Sequence, residues 1–182
     1  SDALAPFLPV PLPIEWDGTF ALDWDRPQSI GKIRSFLGNA QVVVKAYAWV
    51  MALGADGLRA VADTAVMNSR YINRALAALD GITMPYQPDD PRLEQTRYSM
   101  EQLAENTGVG SHAVKLAMLD YGLQHFFESH HPVMVAEPAT IEPGESYSLV
   151  EIEEYIAVIS DIIDKARQAS NIVTDAPHKT AM

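Results

Sequence analysis

The chain contains no cysteine, which excludes disulfides and thiolate metal ligation and fits a reducing compartment. Positive charge is scarce: 13 Lys and Arg stand against 24 Asp and Glu, for a formal net charge of −11. A field of that sign repels phosphate backbones and anionic lipid, so neither nucleic acid nor membrane is an expected partner. The sequence holds no glycine-rich phosphate motif, no paired catalytic carboxylates and no nucleophile elbow. Long hydrophobic runs are also lacking. The most apolar stretch, VVVKAYAWVMAL at 42–53, carries Lys45 and is too short to span a bilayer. The opening residues SDALAP have neither the basic region nor the apolar run of a secretory signal. The expected location is the cytoplasm of a bacterium, or the mitochondrial matrix if the source is eukaryotic.

What is present suffices for one globular domain. The 182 residues are 48% hydrophobic, too apolar for a disordered chain and enough for a core. Residues 1–28 read as a proline-rich linker followed by a β-hairpin. Pro6, Pro9, Pro11 and Pro13 favour an extended path. Ile14–Leu22 reads as the hairpin, with Asp17-Gly18 supplying the positive φ angles of a tight turn. Residues 29–182 read as an α+β domain.

Within that domain, Ser29 is expected to cap a long helix running to Leu53, where Gly54 stops it. From Val42 onward this helix is apolar nearly all round, which predicts burial on more than one side. A second long helix is expected from Asp56 or Gly57 to Leu79. Met84–Pro91 reads as a loop, Arg92–Ser99 as a strand and Met100–Asn106 as a short helix. Ser111 is expected to cap a helix ending at Gly122. Pro132–Glu142 reads as an edge strand interrupted by Pro138. Ser148 and Glu151 form a capping box for a last helix, whose stripe is Leu149, Ile152, Ile156, Ile159, Ile163 and Ala166. The expected fold is a small antiparallel sheet with helices packed on one face.

Several residues invite a chemical reading, each with a structural counterpart. Lys45 and Tyr47 on the apolar helix could meet a substrate carboxylate, or Lys45 could simply extend its charge into water. Asn68 and Tyr71 lie three apart on one helical face, beside Arg70 and Arg74. They are candidates for a substrate entrance, or for ordinary tertiary hydrogen bonds. His125, Glu128, His130 and His131 lack the spacing of a metal site and read as a solvated loop. Met100–Gly122 has the outline of a helix-turn-helix that would present Ser111, His112 and Lys115 to DNA, but with few basic groups to hold phosphates. Lys179 sits in a His-Lys-Thr string near the C-terminus, where a frayed tail is expected rather than a cofactor lysine. No residue is assigned a catalytic, cofactor-binding or metal-ligating role.

Several short segments follow one another in a fixed order: LAPFLP at 4–9, RPQSIG at 26–31 with Phe36, Gly38 and Asn39, KAYA at 45–48, Met51–Gly57, AVMN at 65–68 with Tyr71, LDYG at 119–122, IEP at 141–143 with Glu145, and APH at 176–178. Their order resembles the C-terminal part of the pyridoxal-phosphate-dependent glycine dehydrogenase (decarboxylating), the P-protein of the glycine cleavage system, in its two-subunit form. The resemblance implies the C-terminal domain of a fold-type I enzyme. The parent would decarboxylate glycine and pass the aminomethyl group to the lipoyl arm of the small acidic H-protein. It further implies that the cofactor lysine lies in a large domain outside this chain, that a companion subunit completes the enzyme, and that these residues alone bind no pyridoxal phosphate and are inactive. Arg92–Arg97 and Leu123–Pro132 depart from the family pattern, which leaves open a paralogue acting on another amino acid. A non-catalytic helical interaction domain is the other reading.

Overall fold

The computed structural model describes residues 2–36, 38–86, 93, 95–123, 126–128 and 134–179. The chain divides into two compact units, Ser1–Leu53 and Gly54–Met182.

In the first unit, strands β1 (Leu12–Trp16) and β2 (Thr19–Asp23) form an antiparallel hairpin with Trp16 opposite Thr19. Asp17 (φ 50°) and Gly18 (φ 70°) make the two-residue turn, as their left-handed preference predicts. The proline-rich segment is not wholly extended: Ala5–Phe7 is a 3-10 turn, which Pro6 tolerates because its missing N–H falls in the first turn. Pro13 sits in β1, a strand with a free edge.

The expected helix start at Ser29 is not observed. Ser29 Oγ instead donates to the Leu8 carbonyl at 2.6 Å and accepts from the Gly31 N–H at 3.1 Å. The backbone then passes through positive φ at Gly31, Phe36 and Gly38, which breaks any helix. Helix α1 begins at Ala40 (Ala40–Ala77), where Asn39 Oδ1 accepts from the Val42 N–H at 3.2 Å in the manner of an N-cap. Gly54, at φ 63° and ψ −172°, interrupts it where a stop was expected. The arm before Gly54 does not bury its apolar residues: Val42, Val43, Val44, Tyr47, Trp49, Val50 and Met51 are all exposed.

The second unit opens with residues 55–77 of α1. Strands β3 (Thr96–Ser99) and β4 (Pro138–Ile141) pair antiparallel, with Thr96 opposite Ile141. The described residues therefore hold two separate two-stranded sheets rather than one. Two short helices follow β3, α2 (Glu101–Thr107) and α3 (Ser111–Met118), then a 3-10 turn at Leu119–Tyr121. Gly122 ends that turn in the left-handed region. The last long helix is α4 (Leu149–Gln168), followed by α5 (Asn171–Thr174).

The α4 capping box is complete. Ser148 Oγ accepts from the Glu151 N–H at 3.3 Å, and Glu151 Oε2 accepts from the Ser148 N–H at 2.7 Å. The buried face of α4 is wider than one stripe. It comprises Ile152, Tyr155, Val158, Ile159, Ile162, Ile163 and Ala166, while Leu149 is exposed. These side chains share a core with Ile72 and Leu76 of α1, Leu103 of α2, and Val114 and Met118 of α3. Buried polar groups tie the elements together. Thr96 Oγ1 donates to the Ser69 carbonyl at 3.1 Å, and the Tyr98 and Tyr155 hydroxyls meet at 2.6 Å.

Among the described residues no helix is long and apolar enough to cross a membrane.

Candidate functional site

The second unit carries an open cleft of about 820 Å³. Its apolar floor includes Ile72, Phe126, Ile152 and Tyr155, brought together by α1, the segment before β4, and α4. Phe126 is fixed edge-on to Tyr98, ring centres 6.0 Å apart. One wall is β4. There Thr140 and Phe127 exchange backbone hydrogen bonds, each at 2.8 Å. The rim carries Glu142, Ser146, Tyr147, Glu151 and Glu154. Gln95 Nε2 donates to Glu142 Oε1 at 3.1 Å. The Ser148 N–H and hydroxyl hold the Glu151 carboxyl below its usual range, so it is anionic at neutral pH.

Asn68 and Tyr71, the sequence candidates on α1, lie in this second unit in different settings. Asn68 is buried and works structurally. Its Nδ2 donates to the carbonyls of Gly144 at 3.0 Å and Tyr147 at 3.1 Å, fixing the loop that carries Ser146 and Tyr147 to the cleft rim. Tyr71 is exposed and donates its hydroxyl to Glu153 Oε1 at 3.2 Å, and that bond raises its pKa. Lys45 and Tyr47 belong to the first unit, both exposed.

A second, smaller cavity of about 270 Å³ is lined by Asp120, Tyr121, Lys165, His178 and Lys179 among others. The Tyr121 hydroxyl donates to Asp161 Oδ2 at 2.5 Å and accepts from Lys165 Nζ at 2.6 Å; Lys165 also pairs with Asp161 at 2.8 Å. These bonds raise the Lys165 pKa, Asp161 foremost, and keep the amine charged. The C-terminal segment is latched rather than frayed as far as residue 179. Asp120 accepts from the backbone N–H groups of His178 and Lys179, each at 2.8 Å, and faces the His178 ring at 2.8 Å. The His178 backbone bond foremost lowers the Asp120 pKa to about 2. Thr180 lies outside the described residues.

The helix-turn-helix outline is present as α2 and α3, with Gly108 left-handed between them. Ser111 is not the N-cap; that position is Gly110, and the cap acceptor comes from Glu137. All three residues that a recognition helix would present are engaged inside the chain. Ser111 bonds Glu137, while His112 and Lys115 pair with Glu128 at 3.3 and 3.4 Å. Of the loosely spaced metal candidates only Glu128 is described; His125, His130 and His131 lie outside the described residues.

The chain's donor set does not fit pyridoxal phosphate. A Schiff-base lysine must be held in a desolvated pocket beside a phosphate cradle. The sequence has five lysines. Lys32 lies over the Trp24 ring, Lys45 is exposed, Lys115 pairs with Glu128, Lys165 is held charged, and Lys179 donates to the Asp120 carbonyl. None of them lines the cleft of about 820 Å³, whose charged lining among the described residues is acidic. Sequence reading missed the roles of Glu137 and Asp120. Glu137 acts on Ser111 and Asp120 on His178 and Lys179, partners distant in sequence that no local pattern records.

Comparison with known proteins gives a consistent picture. No protein-family model matches the chain. Curated relatives do. It is 36% identical over 182 residues to the probable glycine dehydrogenase (decarboxylating) subunit 2 of Pyrococcus horikoshii, covering 98% of this chain and 36% of that protein. It is 34% identical over 178 residues to the protein of the same name from Caldanaerobacter subterraneus, covering 97% and 35%. The Fervidobacterium nodosum protein of that name is 34% identical over 177 residues. The chain thus spans about a third of the length of the curated relatives it matches. A crystal structure of the glycine decarboxylase (P-protein) of the glycine cleavage system, in inhibitor-bound form, superposes with a TM-score of 0.67 at 17% identity. That match covers 87% of this chain and 36% of the other. The resemblance read from the segments and the mixed helix-and-sheet class are both borne out.

Proposed function

We propose that these residues form the C-terminal domain of subunit 2 of a glycine dehydrogenase (decarboxylating). In this reading the parent enzyme releases carbon dioxide from glycine and transfers the aminomethyl group to the lipoyl arm of H-protein. Pyridoxal phosphate is the cofactor of that enzyme and supplies the electron sink for decarboxylation. Its lysine belongs to a large domain outside this chain, and a companion subunit completes the assembly in the cytoplasm. The observation that carries the reading is the alignment, which runs through 98% of the chain at 36% identity.

Two features of the chain support it. The apolar face of 40–53 is exposed, with Val44 and Tyr47 64% or more accessible, and such a surface calls for a covering partner. The lysines are each exposed, paired or held charged, so this domain contributes surface and positioning rather than the reacting amine. The reading is tested on the natural assembly that carries these residues, isolated through a tag placed in them. It should contain pyridoxal phosphate in stoichiometric amount, while the 182-residue chain alone takes up none. An assembly free of the cofactor would refute it.

A further inference from the structure

We propose that residues 1–53 are a docking segment, held in shape by the remainder of the parent polypeptide, whereas 54–182 carries its own core. The proposal rests on the parentage proposed above and adds the surface that docks and what covers it.

The first observation is that this segment has no core. Among the described residues from 2 to 53 only Pro11 is buried, and the buried hydrophobic residues begin at Ile72. A lone two-stranded hairpin is marginal in water, and ordering it costs conformational entropy that buried apolar area must offset. Here the hairpin turns Phe20 and Leu22 outward on one face, 82% and 51% exposed. The helical arm is barer still: every residue from Ala40 to Ala52 is exposed. An isolated helix shorter than about 12–15 residues is marginal in water, and the β-branched run Val42-Val43-Val44 weakens this one further.

The second observation is how the apolar side chains of the arm are distributed. Val42 with Trp49, Val43 with Val50, and Val44 with Met51 are exposed pairs seven residues apart, so they mark three successive faces of the helix. A helix apolar around most of its circumference belongs inside a larger body. A second copy of the chain, meeting the arm across a two-fold axis, would cover one face and leave the others in water.

The third observation is the length of the relatives. The aligned residues are 36% of the Pyrococcus horikoshii protein, so most of that polypeptide lies outside the part matched here. In the proposed parentage that remainder precedes residue 1 and is joined covalently to the docking segment. Contact with it is intramolecular, an advantage that a companion subunit lacks.

The test compares hydrogen exchange in the natural assembly and in the 182-residue chain. In the chain alone, amides 41–53 should lie within about tenfold of unstructured rates while those of α4 are strongly protected; in the assembly, protection at 41–53 should rise by about a hundredfold or more. Trp49 replaced by the photo-crosslinker p-benzoylphenylalanine should, in the assembly, crosslink within its own polypeptide, outside these 182 residues. Val44→Asp combined with Trp49→Asp should leave the melting temperature of the 182-residue chain unchanged and lower the protection at 41–53 in the assembly. An arm protected in the chain alone, an arm unprotected in the assembly, protection indifferent to the double change, or crosslinks to a companion subunit or second copy would each overturn the proposal. The pyridoxal phosphate content of the same assembly separates the two readings. Its absence with a protected arm refutes the parentage and upholds the docking; its presence with an unprotected arm does the reverse.

Discussion

Glu137 caps a helix it does not belong to. Its Oε2 accepts from the Ser111 N–H at 2.6 Å and from Ser111 Oγ at 2.9 Å, closing the start of α3 across 26 residues of sequence. Gly110 makes the approach possible, because a Cβ there would lie 2.8 Å from the Glu137 carboxyl carbon. Two losses follow. Glu137→Ala removes a cap and should cost about 1–2 kcal/mol. Gly110→Ala should destabilise by displacing the same carboxylate. Urea unfolding of each variant measures both, and the double variant should cost less than the sum of the two.

The Tyr98 and Tyr155 hydroxyls satisfy each other in the core. Burial raises both pKa values, so both stay protonated through the alkaline range. Tyr98→Phe should strand the Tyr155 hydroxyl and cost about 1–3 kcal/mol. Replacing both by Phe should recover part of that loss. A double-mutant cycle in denaturant shows whether the second change is favourable on the background of the first.

Thr140→Val should hold or raise the stability of the chain, by up to about 1 kcal/mol. It removes a buried hydroxyl that has no partner among the described residues and keeps the side-chain shape. A thermal scan of wild type and variant reads the sign. A clear fall in melting temperature would mean that Thr140 Oγ1 is satisfied after all.

The latch on Asp120 is acid-sensitive. Its pKa falls from 3.8 to about 2 on folding, so its contribution is fully present above 3.8 and is lost as pH falls through 2. The protection factors of the His178 and Lys179 amides, which remove the intrinsic pH dependence of exchange, should be high at pH 5 and fall between pH 4 and 2. Asp120→Asn should show fast exchange already at pH 5.

What the sequence disclosed was what is local. The Asp17-Gly18 turn and the Ser148–Glu151 box are set by residues next to or three apart from one another, and both formed as expected. The start of α1 did not, because Ser29 is occupied by the Leu8 carbonyl, a partner 21 residues away that no helix pattern records. The cap on α3 was misassigned to Ser111 for the same reason: its acceptor arrives from Glu137. The stripe on α4 was read too narrow, since Tyr155 is buried through a hydroxyl partner on β3 that hydropathy does not register. At the candidate sites, Asn68 resolved into a loop anchor because its acceptors, Gly144 and Tyr147, lie more than 70 residues on. The family resemblance succeeded where geometry could not, since it drew on the order of many short segments.

Release of labelled carbon dioxide from carboxyl-labelled glycine, by the natural assembly that carries these residues and in the presence of lipoylated H-protein, tests the central claim most directly. The account predicts release that depends on the carrier and falls to background when residues 54–182 are deleted. An assembly that leaves glycine untouched, or keeps full activity without those residues, would contradict it.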